Sequence, residues 1–139
     1  VDTILTHLEE TGRTLDHYDL VCTGDLGFIG KSIVRDLLED AGVSRKMIAD
    51  VYDDCGAMIY APEQDIHSGG SGCGCSASVF AGYVYRNMKE GKRRALIVST
   101  GAMLSTISPF QGESIPGIAH AISLESVSGI MDREKGCRK

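Results

Sequence analysis

Apolar residues recur first at helical spacing. Ile4, Leu5 and Leu8 share one face, and Gly12 stands where such a helix would stop. Residues 18–22 (YDLVC) form a short apolar run of strand type, broken by Thr23, Gly24 and Asp25. From Lys31 to Ala41, the positions Ile33, Val34, Leu37, Leu38 and Ala41 are amphipathic, and Gly42 supplies a stop. This is a strand–loop–helix unit. Met47 to Tyr52 and Gly56 to Tyr60 read as two strands joined through Asp53, Asp54 and Cys55. A glycine-dense loop follows, Ser68 to Cys75 (SGGSGCGC), which must bend tightly or be closely approached by other backbone.

From Ser76 to Lys89, small and apolar residues surround most of the predicted helix. Such a pattern predicts burial on nearly all sides, with the helix sandwiched between two sheets. Gly91 ends it. Ala95 to Ser99 (ALIVS) is a buried strand, and Gly117 to Glu125 is its hairpin partner. Between them runs a long excursion, Gly101 to Pro116, containing Ser108-Pro109; long loops in compact domains are often functional. The order of elements predicts an α/β fold with a mixed sheet. Residues 1–139 form a single domain, with a charged, flexible tail over about 128–139.

Composition narrows the function classes. The 139 residues suffice for one domain with a real core, and 42% hydrophobic with 24% charged residues describes an ordinary soluble one. A net charge of −5 argues against nucleic acid, because phosphate binding needs a basic face. The basic run Lys89, Lys92, Arg93 and Arg94 surrounds a helix end, where it complements the helix dipole. No apolar run approaches the roughly 20 residues of a membrane span. The chain starts at Val1 with no initiator Met and reads as a fragment or a processed product. Five cysteines without a Cys-x-x-Cys fit neither a disulfide framework nor a zinc site, and a reducing cytosol is the simplest reading. No metal and no cofactor is predicted.

Several segments, in order, carry a resemblance. Residues 18–25 (YDLVCTGD), 53–56 (DDCG), 69–77 (GGSGCGCSA), 99–105 (STGAMLS) and 113–120 (ESIPGIAH) resemble the stage V sporulation protein AD family. The likeness runs from about residue 5 to residue 127, and its glycine-cysteine segment is the most specific part. The resemblance implies a thiolase-like half-domain with a buried central helix and helices on the other face of the sheet. In that family two similar halves make a five-layered, usually dimeric assembly, and this chain corresponds to the carboxyl-terminal half. It further implies binding of dipicolinic acid and its delivery into the developing spore. The implied partners are the missing amino-terminal half, a second copy, and other products of the sporulation operon, several of them membrane proteins. The implied location is cytoplasmic, associated with the forespore membrane through those partners.

The chemistry expected of a condensing enzyme is missing. Such enzymes take a nucleophilic cysteine from the first half. The second half supplies a His after its first strand and a His or Asn at the glycine loop, which stabilise developing negative charge. Here the first loop reads Thr23-Gly24-Asp25, and Gly72 and Cys73 stand where an Asn is expected. Losing both donors would forfeit roughly 3–4 kcal/mol each. The expectation is therefore a binding protein and not an enzyme. Two alternatives stand beside it: an acyl-transfer enzyme using His120 and a cysteine, and a docking scaffold.

Candidate ligand-binding residues follow from the same pattern. Dipicolinate is a planar dianion, and the glycine loop leading into a helix offers backbone N–H groups at Gly70, Gly72 and their neighbours. A second helix start following Leu26-Gly27-Phe28-Ile29-Gly30 could do similar work. Gly24 and Asp25 occupy the first loop; Asp25 would repel a dianion unless protonated, paired or bridged by a cation such as calcium, and it reads more readily as an N-cap or turn residue than as a ligand. Cys73 and Cys75 flank a glycine near a helix N-terminus, where a thiol pKa would fall. In a tight turn they also serve as small packing residues. His120, amid apolar neighbours in the last strand, is the first candidate for a carboxylate partner, and His67 the second. His7 and His17 read as surface residues, and Cys22 as core.

Overall fold

The computed structural model describes residues 1–91, 94–102, 107–115 and 117–126, with positions 108 and 109 described by backbone alone. A four-stranded mixed sheet forms the centre, in the order β2 (Tyr52–Asp54), β1 (Leu20–Thr23), β3 (Arg94–Ser99) and β4 (His120–Glu125). The first three are parallel, and β4 runs antiparallel to β3 with Ser99 opposite His120 and Arg94 opposite Glu125. The α/β class and the mixed sheet are thus as expected.

Strands β1 and β3 are buried on both sides, so alternate residues feed two cores. On one face Val21, Leu96 and Val98 meet Ile4 and Leu8 of α1 (Asp2–Thr11), Val34 and Leu38 of α2 (Gly27–Asp40), and Ile48 of α3 (Arg45–Val51). On the other, Leu20, Cys22, Ala95 and Ile97 meet Cys55, which opens α4 (Cys55–Ile59), and a long helical run beyond the glycine loop. That run consists of α5 (Cys75–Val79), a π-helical turn (Phe80–Val84) and α6 (Tyr85–Glu90).

Three expectations are corrected. Residues 47–51 and 56–59 are helical, and only Tyr52–Asp54 is strand. Apolar runs this short have no decisive period; the Asp54 side chain accepts from the N–H groups of Gly56 and Ala57 and so starts a helix there. The predicted central helix is not buried all round among the described residues. Only Cys75, Val79 and Val84 are buried, while Tyr83 and Tyr85 are 44% and 49% exposed. Spacings of four and then five put these three on one face because the π turn absorbs the extra residue. Finally, β4 begins at His120 and not at Gly117; Gly117 makes only an isolated bridge to Ala102. Within the excursion between β3 and β4, Ile107–Phe110 form a helical turn, α7. The expected tail of 128–139, the side chains of the Ser108-Pro109 pair, Lys92, Arg93 and Cys137 lie outside the described residues.

Candidate functional site

In open α/β sheets, ligands bind beyond the carboxyl ends of the strands where the chain order reverses. Here β1 connects to β2 through helices on one face, and β2 connects to β3 through helices on the other. The reversal therefore lies between β1 and β3. Thr23, Gly24 and Asp25 leave β1 at this edge, and Ser99 and Thr100 leave β3 beside them. The antiparallel β4 brings in His120 opposite Ser99. The two loops are pressed together: a Cβ on Gly24 would meet the Thr100 side chain and lie 2.7 Å from its backbone nitrogen.

Two aspartates organise the edge. Asp54, fully buried at the end of β2, accepts five hydrogen bonds. Its Oδ1 takes the Thr23 hydroxyl at 2.6 Å and the Leu26 N–H at 3.1 Å. Its Oδ2 takes the N–H groups of Gly27 at 3.0 Å, Gly56 at 3.0 Å and Ala57 at 3.2 Å. One carboxylate thus satisfies the starts of both α2 and α4, where the helix dipoles favour negative charge. The Thr23 hydroxyl also lies 3.0 Å from the Tyr52 hydroxyl, whose own pKa is pushed up chiefly by burial.

Asp25 reaches the glycine loop. Its Oδ2 accepts from the Gly70 N–H at 2.9 Å, the Ser71 N–H and hydroxyl at 2.6 Å each, and the Gly72 N–H at 3.3 Å. Burial raises its pKa, but the Ser71 hydroxyl and the loop N–H groups outweigh this, so the carboxyl is held below its ordinary value. Its Oδ1 is buried against Gly56, where a Cβ would collide with it, and has no hydrogen-bond donor among the described residues. Gly69, at φ 104°, would place a Cβ 2.5 Å from the Asp25 carbonyl oxygen, so only glycine lets the loop close over this residue.

Each predicted site residue now has a place. Gly70 and Gly72 do present N–H groups, but to Asp25; the helix start after Leu26 is likewise taken, by Asp54. Cys75 is buried beneath the loop, and burial raises its thiol pKa, the reverse of the lowering expected at a helix start. Cys73 is exposed. Cys22 and Cys55 are core residues, with the Cys55 thiol pushed up by its hydrogen bond with Cys22 and by burial. His67 contributes its backbone, accepting from the Ile29 N–H at 3.1 Å; its ring turns outward to Asp65, 3.1 Å away. His120 is exposed at the strand start and not enclosed by apolar neighbours. His7 and His17 are half-buried and not on the surface: His7 bonds the Tyr18 hydroxyl at 2.6 Å, and His17 lies 3.5 Å from Glu125.

Sequence reasoning missed Asp54, the most densely bonded of these groups. Its signal was an N-cap aspartate before Cys55, hidden by reading Gly56–Tyr60 as a strand. It also missed a cleft of about 290 Å³ between α5 and the β3–β4 pair, lined by Ser76, Ala77, Phe80, Ile97, Ser99, Ile122 and Leu124. His120 shares the face of Ile122 and Leu124 and stands at the Ser99 end of that cleft. Among the described residues, no group of three or more His, Cys, Asp or Glu is placed to hold a metal ion, and no helix is long and apolar enough to cross a membrane.

The sequence profile of stage V sporulation protein AD matches residues 1–125. Stage V sporulation protein AD of Bacillus subtilis (strain 168) is 43% identical over 129 residues, which is 92% of this chain and 37% of that protein. The chain therefore spans little more than a third of that relative's length. With the matched region embracing all four strands, both aspartates and the glycine loop, this chain belongs to the stage V sporulation protein AD family.

Proposed function

We propose that this chain contributes the dipicolinic acid site of a sporulation protein that binds this ligand for uptake into the developing spore, without turning it over. The observation that carries the reading is the position of His120. It stands exposed at the carboxyl edge, in register with Ser99, at the end of an apolar cleft with two hydroxyls. A planar aromatic ring fits the apolar walls, and a carboxylate fits an imidazole N–H beside a seryl hydroxyl. The absence of turnover is inferred from Asp25, which takes the place of the expected histidine. A carboxylate bound to three N–H groups is an acceptor with the wrong sign for an oxyanion hole.

The remaining partners belong to the same proposal. Residues outside this chain complete the pocket and cover the exposed Tyr85 and Ile122. The protein pairs with a second copy, remains cytoplasmic, and docks on membrane proteins of its operon at the forespore. The test is a calorimetric titration of dipicolinate into the intact protein and its His120→Ala variant, in metal-free buffer and with calcium. Binding should weaken at least about tenfold in the variant, the scale of one charge-assisted hydrogen bond. No binding by the unmodified protein under either condition would reject the ligand; equal binding by both proteins would reject the site.

A further inference from the structure

The glycine loop has the form of an anion receptor: three successive N–H groups and a seryl hydroxyl converge on one point. That point is held by the chain's own Asp25. We propose that Asp25 is the resident anion of this loop, a positioning residue that sets the loop and the start of α5 by filling the N–H cluster itself, and that thereby keeps free carboxylates out of it.

Three features carry this beyond an ordinary turn. The residues joined are 45 to 47 positions apart, so the contact is tertiary and closes the α5 side of the molecule onto the β1–α2 turn. The approach is tight, because Gly56 and Gly69 each leave no room for a Cβ against the Asp25 carboxylate. The second oxygen finds no donor among the described residues, so the charge-assisted bonding seen there runs to the loop. A carboxylate ligand at this edge is therefore held by other groups for as long as Asp25 stays in place. The inference does not depend on which ligand the protein takes, and its test uses none.

The experiment is chemical rescue in the intact protein. Asp25→Ala removes the anion and leaves its receptor. Its melting temperature should fall in sodium chloride and partly recover in sodium formate or acetate at equal ionic strength, while the unmodified protein shows no such difference between salts. Exchange of the Gly70, Ser71 and Gly72 amide protons should accelerate by about tenfold or more in the variant, the factor for loss of charge-assisted bonds, and slow again in acetate. An Asp25→Ala protein as stable as the original, or one weakened without any response to formate or acetate, would overturn the proposal. So would an equal response of the unmodified protein. If Asp25→Ala fails to fold in either salt, Asp25→Asn decides. It keeps an oxygen acceptor but no charge, and about tenfold faster exchange at these three amides supports the proposal, whereas unchanged exchange sinks it.

Discussion

The two faces of the sheet receive the same two strands and end in different states. On the α1–α3 face, Ile4, Leu38, Val21 and Leu96 are fully enclosed, and His7 of α1 is tied to β4 through the Tyr18 hydroxyl and Ser123, with Arg13 bonding Tyr18 and Glu125 beside them. On the α4–α6 face, Val79 and Val84 reach the sheet, but Ile122 is 56% exposed and a cleft opens between α5 and β4. Among the described residues the first face gathers eleven buried apolar side chains, most of them large, against eight on the second, three of which are cysteines, and it has more helices at hand. Three helices cover the first face, while one bent helical run and a single turn-length helix cover the second. A closed face carries stability, and an open one is where a ligand or another surface can be received.

Asp54 is the joint between the faces, because it caps α2 on one and α4 on the other. Asp54→Ala would leave four backbone donors and a hydroxyl facing a void. The expected loss is about 4 kcal/mol in urea unfolding, the largest of any single change considered for this molecule. A loss under about 1 kcal/mol would mean that the faces are held independently.

The contrast between closed and open packing is sharpened by a matched pair. Leu38→Ala on the closed face should cost about 3 kcal/mol, as a buried leucine does. Ile122→Ala on the open face should cost under about 1 kcal/mol when the chain is studied alone. Equal losses in denaturant unfolding would erase the distinction.

The smallest effect is a pH dependence. The Asp25 carboxyl is depressed in the folded protein, so its contribution is fully present above the unfolded value of about 3.9 and is lost as pH falls through the lower folded value. Unfolding followed from neutral pH to strong acid should show that loss, and the Asp25→Asn variant should show a flatter curve. Identical curves would remove the carboxylate from the stability of the loop.

Periodicity and punctuation in the sequence were enough to read α1, with its stop at Gly12, strand β1, helix α2 and strand β3, because each is long or regular enough to declare its period. The glycine loop and the family were legible for a related reason, since an unusual local pattern persists whatever surrounds it. The stretch from Met47 to Tyr60 was misread, because short apolar runs fit a strand or a helix equally well and the cap that decides for a helix, Asp54, sits where a strand connection was read. The π turn was invisible too: its extra residue is meaningful only once Val79 and Val84 have a common sheet to face. Above all, the sequence showed which residues could present N–H groups to an anion and which carboxylates were present. Only the tertiary structure could join Asp25 to Gly70–Gly72 and Asp54 to the start of α2, because hydrogen bonds between residues 27 to 47 positions apart depend on chain path and not on local pattern.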